Sequence, residues 1–273
     1  MHKSALLMLF LLLPAPVVLA DFNSAYQDYK DGNYDSAFAE FERLAADDHM
    51  KAAFYLGTMY REGKGVERDY AESLQWYKRA AEQGEPKAMH NVALFYHNGL
   101  GVERNMATAI EWYEKAAELD YVDAQQNLGL IYFRGQGVQA QMSKALEWWR
   151  RAAEQGGRKG QYNLGLMYFT GRGVDEDHAR AYEWYRKAAE QGLPDAQNSL
   201  GALYHDGKGV EQDWVEAYAW FKLAEQAGLQ LAELNIAILE TKMDEPDLER
   251  AREKAEDYAD KYVDDETDGE AQP

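Results

Sequence analysis

The residues best suited to chemistry are six histidines, a set of loop glycines and 48 carboxylates. His90 and His97 are seven residues apart, whereas two helical histidines that bind one metal ion are spaced i, i+4. Scattered surface histidines are therefore the simpler interpretation. Carboxylates occur throughout the chain, so a pair of them identifies no general acid and base.

Motifs for covalent or phosphate chemistry are missing from the sequence. It contains no His-Glu-x-x-His, Gly-x-Ser-x-Gly, Ser-x-x-Lys or Walker-type phosphate loop. Gly63-Lys64-Gly65 and its copies follow predicted helices rather than strands and lack a third glycine, which argues against a dinucleotide loop. We therefore expect no catalytic residue, no cofactor and no metal site.

A repeat organises the chain. The stretch from Ala52 to Gly84 matches itself four more times when the sequence is shifted by 36 residues. The clearest markers are a glycine and a tryptophan column: Gly63, Gly99, Gly135, Gly171 and Gly207; Trp76, Trp112, Trp148, Trp184 and Trp220. Fixed-period self-similarity of this kind indicates an array of stacked units.

Each unit is predicted to be a helix, a loop and a second helix. Gly57 interrupts the first helix, a change that costs about 1 kcal/mol relative to alanine, so another helix is expected to cross closely there. Gly63 and Gly65 indicate loop angles that residues with a Cβ resist. Asp69 is the expected N-cap of the second helix, whereas Gln141 leaves the third unit without one.

The repeat resembles the Sel-1-like repeat family, relatives of tetratricopeptide repeats. The resemblance lies in the pattern Leu-Gly-x-x-Tyr-x-x-Gly-x-Gly-Val followed by Trp-Tyr-x-x-Ala-Ala-Glu-x-Gly, and it covers roughly residues 50–240. It implies an all-α fold, a right-handed α/α superhelix (solenoid) of about seven antiparallel helix pairs. It also implies a binding scaffold, often exported by bacteria and linked to signalling, envelope assembly or secretion.

Five segments are expected along the chain. They are a signal peptide (1–20), an N-terminal capping helical hairpin (21–49), five repeats (50–229), a C-terminal capping helix pair (230–263) and an acidic disordered tail (264–273). Atypical terminal units are usual in repeat arrays because one of their faces meets water.

The first residues have the features of an export signal. Lys3 gives a positive start, residues 5–13 form a short apolar core, Pro14 interrupts it, and small residues precede Asp21. The chain has no cysteine, so no disulfide framework is expected. We expect an exported chain that is not inserted in the membrane, in the periplasm of a Gram-negative bacterium first and secreted second.

The net charge of -19 limits the class of partner. A polyanion repels nucleic-acid phosphates and anionic lipid, so neither is an expected partner. A protein or peptide partner is expected instead, and the acidic balance favours a basic or neutral segment.

Candidate partner-binding positions are those that vary between units while the framework is constant. In the related solenoids the first helix of each unit lines the concave face. One variable column there is Phe54, His90, Gln126, Tyr162 and Asn198, and another is Arg61, His97, Phe133, Phe169 and His205. Both mix aromatic and polar groups, as peptide-binding surfaces do, although plain solvated surface is an equal alternative.

The tryptophans divide into two groups. The tryptophan column is predicted to fill the gap between units with one large ring each. Trp149, which replaces a tyrosine, is expected to pack in the same way. Trp214 stands at the start of a helix, is expected to be partly exposed, and is a further candidate partner-binding residue.

The sequence therefore favours a non-catalytic, exported repeat scaffold for protein–protein or protein–peptide interaction through a concave helical surface, in envelope signalling or assembly. One alternative is a peptidoglycan- or glycan-binding module that uses exposed aromatic rings. Another is a β-lactamase-like hydrolase, as described for some cysteine-rich members of the family. The chain has neither their cysteines nor a Ser-x-x-Lys motif, which disfavours this last alternative.

Overall fold

A computed structural model describes residues 21–262, so the predicted signal peptide and acidic tail lie outside the described residues. Residues 21–262 form fourteen α-helices and no strand, which confirms the predicted all-α class built from helix pairs. In order, the helices are α1 (Phe22–Lys30), α2 (Tyr34–Ala46), α3 (Met50–Glu62), α4 (Tyr70–Glu82), α5 (Pro86–Asn98), α6 (Met106–Glu118), α7 (Val122–Arg134), α8 (Met142–Glu154), α9 (Arg158–Thr170), α10 (His178–Ala189), α11 (Pro194–Asp206), α12 (Trp214–Gln226), α13 (Gln230–Glu240) and α14 (Glu245–Tyr262).

The helices belong to two compact units, Met1–Gln83 and Gly84–Pro273. In the described part of the first unit, α1 packs on α2, α2 on α3, and α3 on α4. In the second unit the pairs are α5–α6, α7–α8, α9–α10 and α11–α12, and the second helix of each pair also contacts the first helix of the next. Each repeat is thus a pair made of a first and a second helix.

The helix ends follow the predicted chemistry. Gly63 ends α3 in the left-handed region, with φ of 72°, and a Cβ on Gly65 would lie 2.5 Å from the carbonyl oxygen of Tyr34. The Asp69 carboxylate accepts hydrogen bonds from two backbone amides at the start of α4. Gln141 makes no such bond at the start of α8, as expected.

The small residue in each first helix admits a ring from the second helix. A Cβ on Gly57 would lie 2.7 Å from Cδ1 of Tyr77, and one on Gly129 would lie 2.3 Å from Cδ1 of Trp149. The close approach predicted from Gly57 is confirmed, and Trp149 is buried as expected. We call these buried rings the central aromatics: Tyr77, Tyr113, Trp149, Tyr185 and Phe221.

Four of the five tryptophans in the column are less enclosed than predicted, although Trp184 does pack against the core cluster around Tyr185. Trp76, Trp112, Trp148 and Trp184 are half-buried, and each ring lies under a cation three residues later, at 4.0 Å for Lys115 over Trp112. The central aromatics, one position further along the chain, are the fully enclosed rings of the core. Trp220 is buried because Tyr258 and Tyr262 pack on it at ring distances of 4.8 and 5.3 Å.

Those two tyrosines belong to α14, which packs chiefly against α12. Lys254 and Tyr258 both donate to the Glu216 carboxylate, at 2.6 and 2.8 Å. The outer side of α13 consequently keeps three large apolar side chains exposed. Leu231, Leu234 and Ile238 are 53%, 63% and 48% exposed, and we call them the α13 stripe.

Candidate binding face on the first helices

Within each first helix the two variable residues lie on the same side, because residues seven positions apart fall on one helical face. We call these ten residues the first-helix face and describe it separately in each unit: Phe54 and Arg61 in the first, and His90, Gln126, Tyr162, Asn198, His97, Phe133, Phe169 and His205 in the second. Nine of them are half-buried, and Asn198 is 9% exposed. These side chains are thus partly ordered by their neighbours yet still reach the surface.

In the second, third and fourth repeats both columns contact the central aromatic of their own repeat, and in the first repeat Phe54 does so. The ring of Phe54 lies 5.6 Å from that of Tyr77. His90 and His97 lie 5.6 and 6.2 Å from the ring of Tyr113 on either side of it. The central aromatic therefore holds the two variable residues of the second repeat on its own ring.

The third and fourth repeats show the same arrangement. The Phe133 ring is 5.3 Å from Trp149, whose indole N–H donates to the carbonyl of Gln126 at 3.2 Å. Tyr162 and Phe169 lie 5.6 and 6.4 Å from the ring of Tyr185. The structure thus brings together the columns that the sequence singled out.

Side chains of the first column also bond to the following repeat. The Asn127 side-chain amide contacts Nε2 of His90 at 2.9 Å. The side-chain amide of Asn235 donates to Oδ1 of the Asn198 side chain at 2.8 Å. Gln126 accepts from the Gly160 backbone amide at 3.2 Å. The first-helix face is therefore continuous from repeat to repeat within the second unit.

His90 is not the surface histidine that its spacing suggested. It is half-buried between Tyr113 and Tyr121, with ring distances of 5.6 and 5.2 Å. Burial lowers the pKa of His90 to about 4, against a smaller opposing effect of Asp123. The ring is neutral at pH 7, which suits its Nε2 to accept the hydrogen bond from Asn127.

Two cavities open on this face. The first, between α9 and α11, has a volume of about 170 Å³ and contains Phe169 and Asn198 over the ring of Tyr185. The second, between α11 and α13, measures about 160 Å³ and contains His205 and Asn235 over the ring of Phe221.

The two cavities are equivalent positions of the repeat. A shift of 36 residues converts lining residues of the first cavity into lining residues of the second: Leu166 to Ala202, Phe169 to His205, Tyr185 to Phe221, Ser199 to Asn235 and Ala202 to Ile238. In the second unit the face therefore carries two equivalent cavities, one repeat apart.

Charged groups lie around the residues that separate the two cavities. Asp206 lines both, and its carboxylate bonds to Nδ1 of His205 at 2.8 Å and to Nζ of Lys208 at 2.9 Å. These two bonds lower the pKa of Asp206, so it is ionised at neutral pH. Lys242 approaches Nε2 of His205 at 3.3 Å.

Trp214 lies beside this group and is half-buried, as expected from its place at a helix start. Its ring stacks on His205 with a centroid distance of 6.3 Å, and Lys242 stands 5.7 Å from the ring. The first-helix face thus combines apolar rings at the base of its cavities with amide and charged groups around them, a combination found in polypeptide-binding sites.

None of the helices within residues 21–262 has the length and apolar character needed to cross a membrane.

The Sel1 repeat family model matches the chain in five consecutive segments: residues 51–85, 86–121, 122–157, 158–193 and 194–229. Comparison with curated protein sequences gives no significant match.

Solved structures show the same fold. A Sel1 repeat protein from Oxalobacter formigenes is 35% identical, with a TM-score of 0.72 over 76% of this chain and 86% of its own. The protein c5321, a protective antigen present in uropathogenic Escherichia coli strains, is 33% identical, with a TM-score of 0.67 over 93% of this chain and 65% of its own.

A more distant structure is the immunity protein PA5088 from Pseudomonas aeruginosa, which is 21% identical with a TM-score of 0.50 over 79% of this chain and 89% of its own. It shows likeness of fold alone. The five matched segments and the two relatives above 30% identity agree with one another, and the chain belongs to the Sel1 repeat family.

Proposed function

We propose that this chain is a non-catalytic scaffold that binds a protein or peptide partner through the first-helix face. Sel1 repeat proteins are typically protein-interaction scaffolds. The observation that carries the proposal is the convergence of both variable columns on the central aromatics, as at Tyr162 and Phe169 around Tyr185. The residue types on this face differ between repeats, while the buried ring beneath them keeps its place.

The mechanism is presentation of side chains by a preformed framework. Tyr162 and Phe169 are held against a buried ring, so they lose little rotational freedom when a partner covers them. The half-burial of the face has the same consequence, since each side chain already contacts its own repeat. Affinity then depends on the partner's fit to the row of cavities.

The place of action in this proposal is the bacterial envelope. The predicted signal peptide supports export, and the relatives above 30% identity come from bacteria. The proposal includes a periplasmic site in a Gram-negative cell, with a role in envelope signalling or assembly. It also keeps the division into an N-terminal cap, five repeats and a C-terminal cap.

The geometry around Trp214 favours protein binding over glycan binding. A ring that stacks on a sugar presents a free face, whereas the Trp214 ring stacks on His205 and has Lys242 beside it. The residue is thus part of the wall of the face rather than an open platform.

Site-specific crosslinking in bacterial cells tests this proposal. A photoreactive residue would replace Phe169 on the first-helix face or, as the matched control, Glu183 on the exposed side of α10. We expect one reproducible protein adduct from position 169 and none of that mass from position 183. An adduct from position 183 alone would place the binding surface on the second helices and reject the proposal.

A further inference from the structure

We infer that the two cavities and the α13 stripe form one row that binds an extended polypeptide segment with an apolar side chain at every third residue. This inference rests on the proposed function and specifies the partner's chemistry. It concerns α9, α11 and α13 of the second unit.

Spacing is the first argument. The side chains of α11 and α13 touch directly at Asn198 and Asn235, as expected for helix axes about 10 Å apart. A polyproline II segment has three residues per turn and a rise of about 3.1 Å, so residues i and i+3 share a face about 9 Å apart. Two such side chains match two cavities one repeat apart.

Cavity size sets the kind of side chain. The volumes are about 170 and 160 Å³. An apolar cavity of about 150 Å³ is large enough to hold benzene. Each cavity therefore accepts one branched aliphatic side chain or one ring, above Tyr185 in the first case and Phe221 in the second.

The groups near the cavity linings favour an extended backbone over a helix. Asn198 and Ser199 line the first cavity and Asn235 lines the second. The bond between Asn198 and Asn235 uses one acceptor and one donor, and each amide has further hydrogen-bonding groups. An extended segment has unpaired backbone N–H and C=O groups to meet them, whereas a helix pairs its own and would bury these amides without partners.

The α13 stripe provides a third contact. Ile238 lines the second cavity and is also part of the stripe, so the two surfaces are continuous. The position of Leu231 is charged in all five preceding repeats: Lys51, Lys87, Asp123, Lys159 and Asp195. Exposed apolar groups that replace charges mark an interaction site.

The area of the stripe argues against a second copy of this chain. Leu231, Leu234 and Ile238 are each about half exposed, so together they offer on the order of 300 Å², against about 800 Å² per partner in a standard dimer interface. A narrow segment that also enters the two cavities makes fuller use of this surface.

The local charge specifies one further feature of the segment. Lys208 is paired with Asp206, but Lys242 forms no ion pair with any carboxylate in the range 21–262. Because this cation lies beside the second cavity, we expect the partner to carry a carboxylate next to the apolar residue that enters that cavity. The segment expected at this site therefore carries a negative charge, whereas the net charge of -19 suggests a basic partner.

The test uses the full chain and a fluorescein-labelled peptide, Ser-Pro-Leu-Pro-Pro-Leu-Pro-Pro-Leu-Asp-Ser, followed by fluorescence anisotropy. Ala202 lines both cavities, so Ala202→Phe fills them, and Ala107→Phe on the exposed side of α6 is the matched control. We expect Ala202→Phe to weaken binding at least about tenfold and Ala107→Phe to change it less than about twofold. Circular dichroism establishes that both variants are folded.

A second pair of measurements addresses spacing and charge. A peptide of the same composition with its three leucines adjacent is expected to bind at least about tenfold more weakly. Lys242→Glu is expected to weaken binding of the aspartate-containing peptide about fivefold. Its effect on the affinity of a peptide with serine in place of that aspartate should be less than about twofold.

Three results would overturn the inference. One is stronger binding by an amphipathic helical peptide with leucines at i and i+7. Another is a dimer of the chain that Leu234→Glu dissociates. The third is absence of binding by the polyproline peptide. If position 169 still yields its protein adduct in that third case, the proposed function stands and only the extended-segment inference is rejected.

Discussion

Arg151 donates a hydrogen bond of 2.8 Å to Asp120, a residue in the left-handed conformation with φ of 60°. Asp48 has the same φ and accepts from Arg79 at 3.4 Å. The residue that follows a second helix can be compared with the residue 31 positions later. These two residues are Asp48 and Arg79 or Asp120 and Arg151 in two cases, and Gly84 and Lys115 or Gly156 and Lys187 in two others. An aspartate thus replaces glycine after a second helix where the next second helix supplies an arginine.

Substitutions at Asp120 should separate backbone strain from ion pairing. Asp120→Ala keeps a Cβ in a left-handed residue and loses the bond to Arg151, so we expect a loss of about 1–2 kcal/mol in the free energy of unfolding. Asp120→Gly loses the same bond but relieves the strain, and we expect a change within about 0.5 kcal/mol. Urea unfolding followed by circular dichroism measures both. Equal effects of the two substitutions would show that the backbone conformation contributes nothing.

A second pairing between repeats is incomplete at one place. Gln155 donates to Gln125 at 2.8 Å and Gln191 donates to Gln161 at 2.7 Å. The corresponding acceptor in the fifth repeat, Oε1 of Gln197, is buried and without a hydrogen-bond partner within the described part of the chain. The equivalent donor position, 227, is an alanine.

Ala227→Gln should therefore stabilise the protein by about 1 kcal/mol, because it supplies the missing donor to a buried acceptor. Ala227→Leu, a control of similar size without an amide, should not stabilise. The midpoint of thermal unfolding reports the difference. A midpoint for Ala227→Gln at or below that of the leucine variant would contradict the pairing.

His90 should make stability depend on acidic pH. Its folded pKa is lowered to about 4, below the ordinary value of 6.5, so the unfolded chain binds a proton first as the pH falls. The contribution of His90 to stability is complete above about pH 6.5 and is lost as the pH falls through about 4, by about 3 kcal/mol in all. His90→Gln removes this titration, and the difference between the two chains in urea unfolding across that range isolates it. Parallel stability curves would contradict the burial of a neutral ring.

The glycine opposite Trp149 should tolerate no methyl group. A Cβ on Gly129 would lie 2.3 Å from the indole, so Gly129→Ala should cost about 1–3 kcal/mol. The second repeat has Ala93 with Tyr113 at the corresponding positions, so Trp149→Tyr in the same chain should recover part of the loss. A double variant no more stable than Gly129→Ala would mean that the two side chains do not share this space.

The sequence was sufficient for features that depend on one repeat alone. Gly57 predicted a close helix crossing, Asp69 an N-cap and Gln141 the lack of one, because each follows from local backbone chemistry. The variable columns are predicted on a different ground, because their residue types change between repeats while the framework is constant; their role as a binding surface stays a prediction.

Features that join different repeats were missed. Gln125 and Gln155 look like surface amides in the sequence. They are 30 residues apart along the chain and become hydrogen-bond partners only because the fold brings their repeats together. The apolar type of Trp112 predicts a core position, whereas the cation at Lys115, three residues later, covers its ring at the surface. Covariation within the chain, such as aspartate with arginine and glycine with lysine, is the signal that could have revealed such pairs.

The packing of α14 was also beyond the sequence. Its thin apolar stripe fits more than one neighbour, and the choice of α12 depends on Glu216 meeting Lys254 and Tyr258. That choice exposes the α13 stripe, which no property of α13 alone predicts. The cavities likewise need three helices to be in place before they exist.

The affinity of the crosslinked partner for three forms of the full chain tests the central claim most directly. The forms are the unchanged chain, Tyr162→Ala with Phe169→Ala on the first-helix face, and Glu147→Ala with Glu183→Ala on the exposed side of the second helices. Our account predicts a loss of at least about tenfold for the first pair and less than about twofold for the second. Full affinity after loss of Tyr162 and Phe169, with binding lost in the glutamate variant, would contradict it.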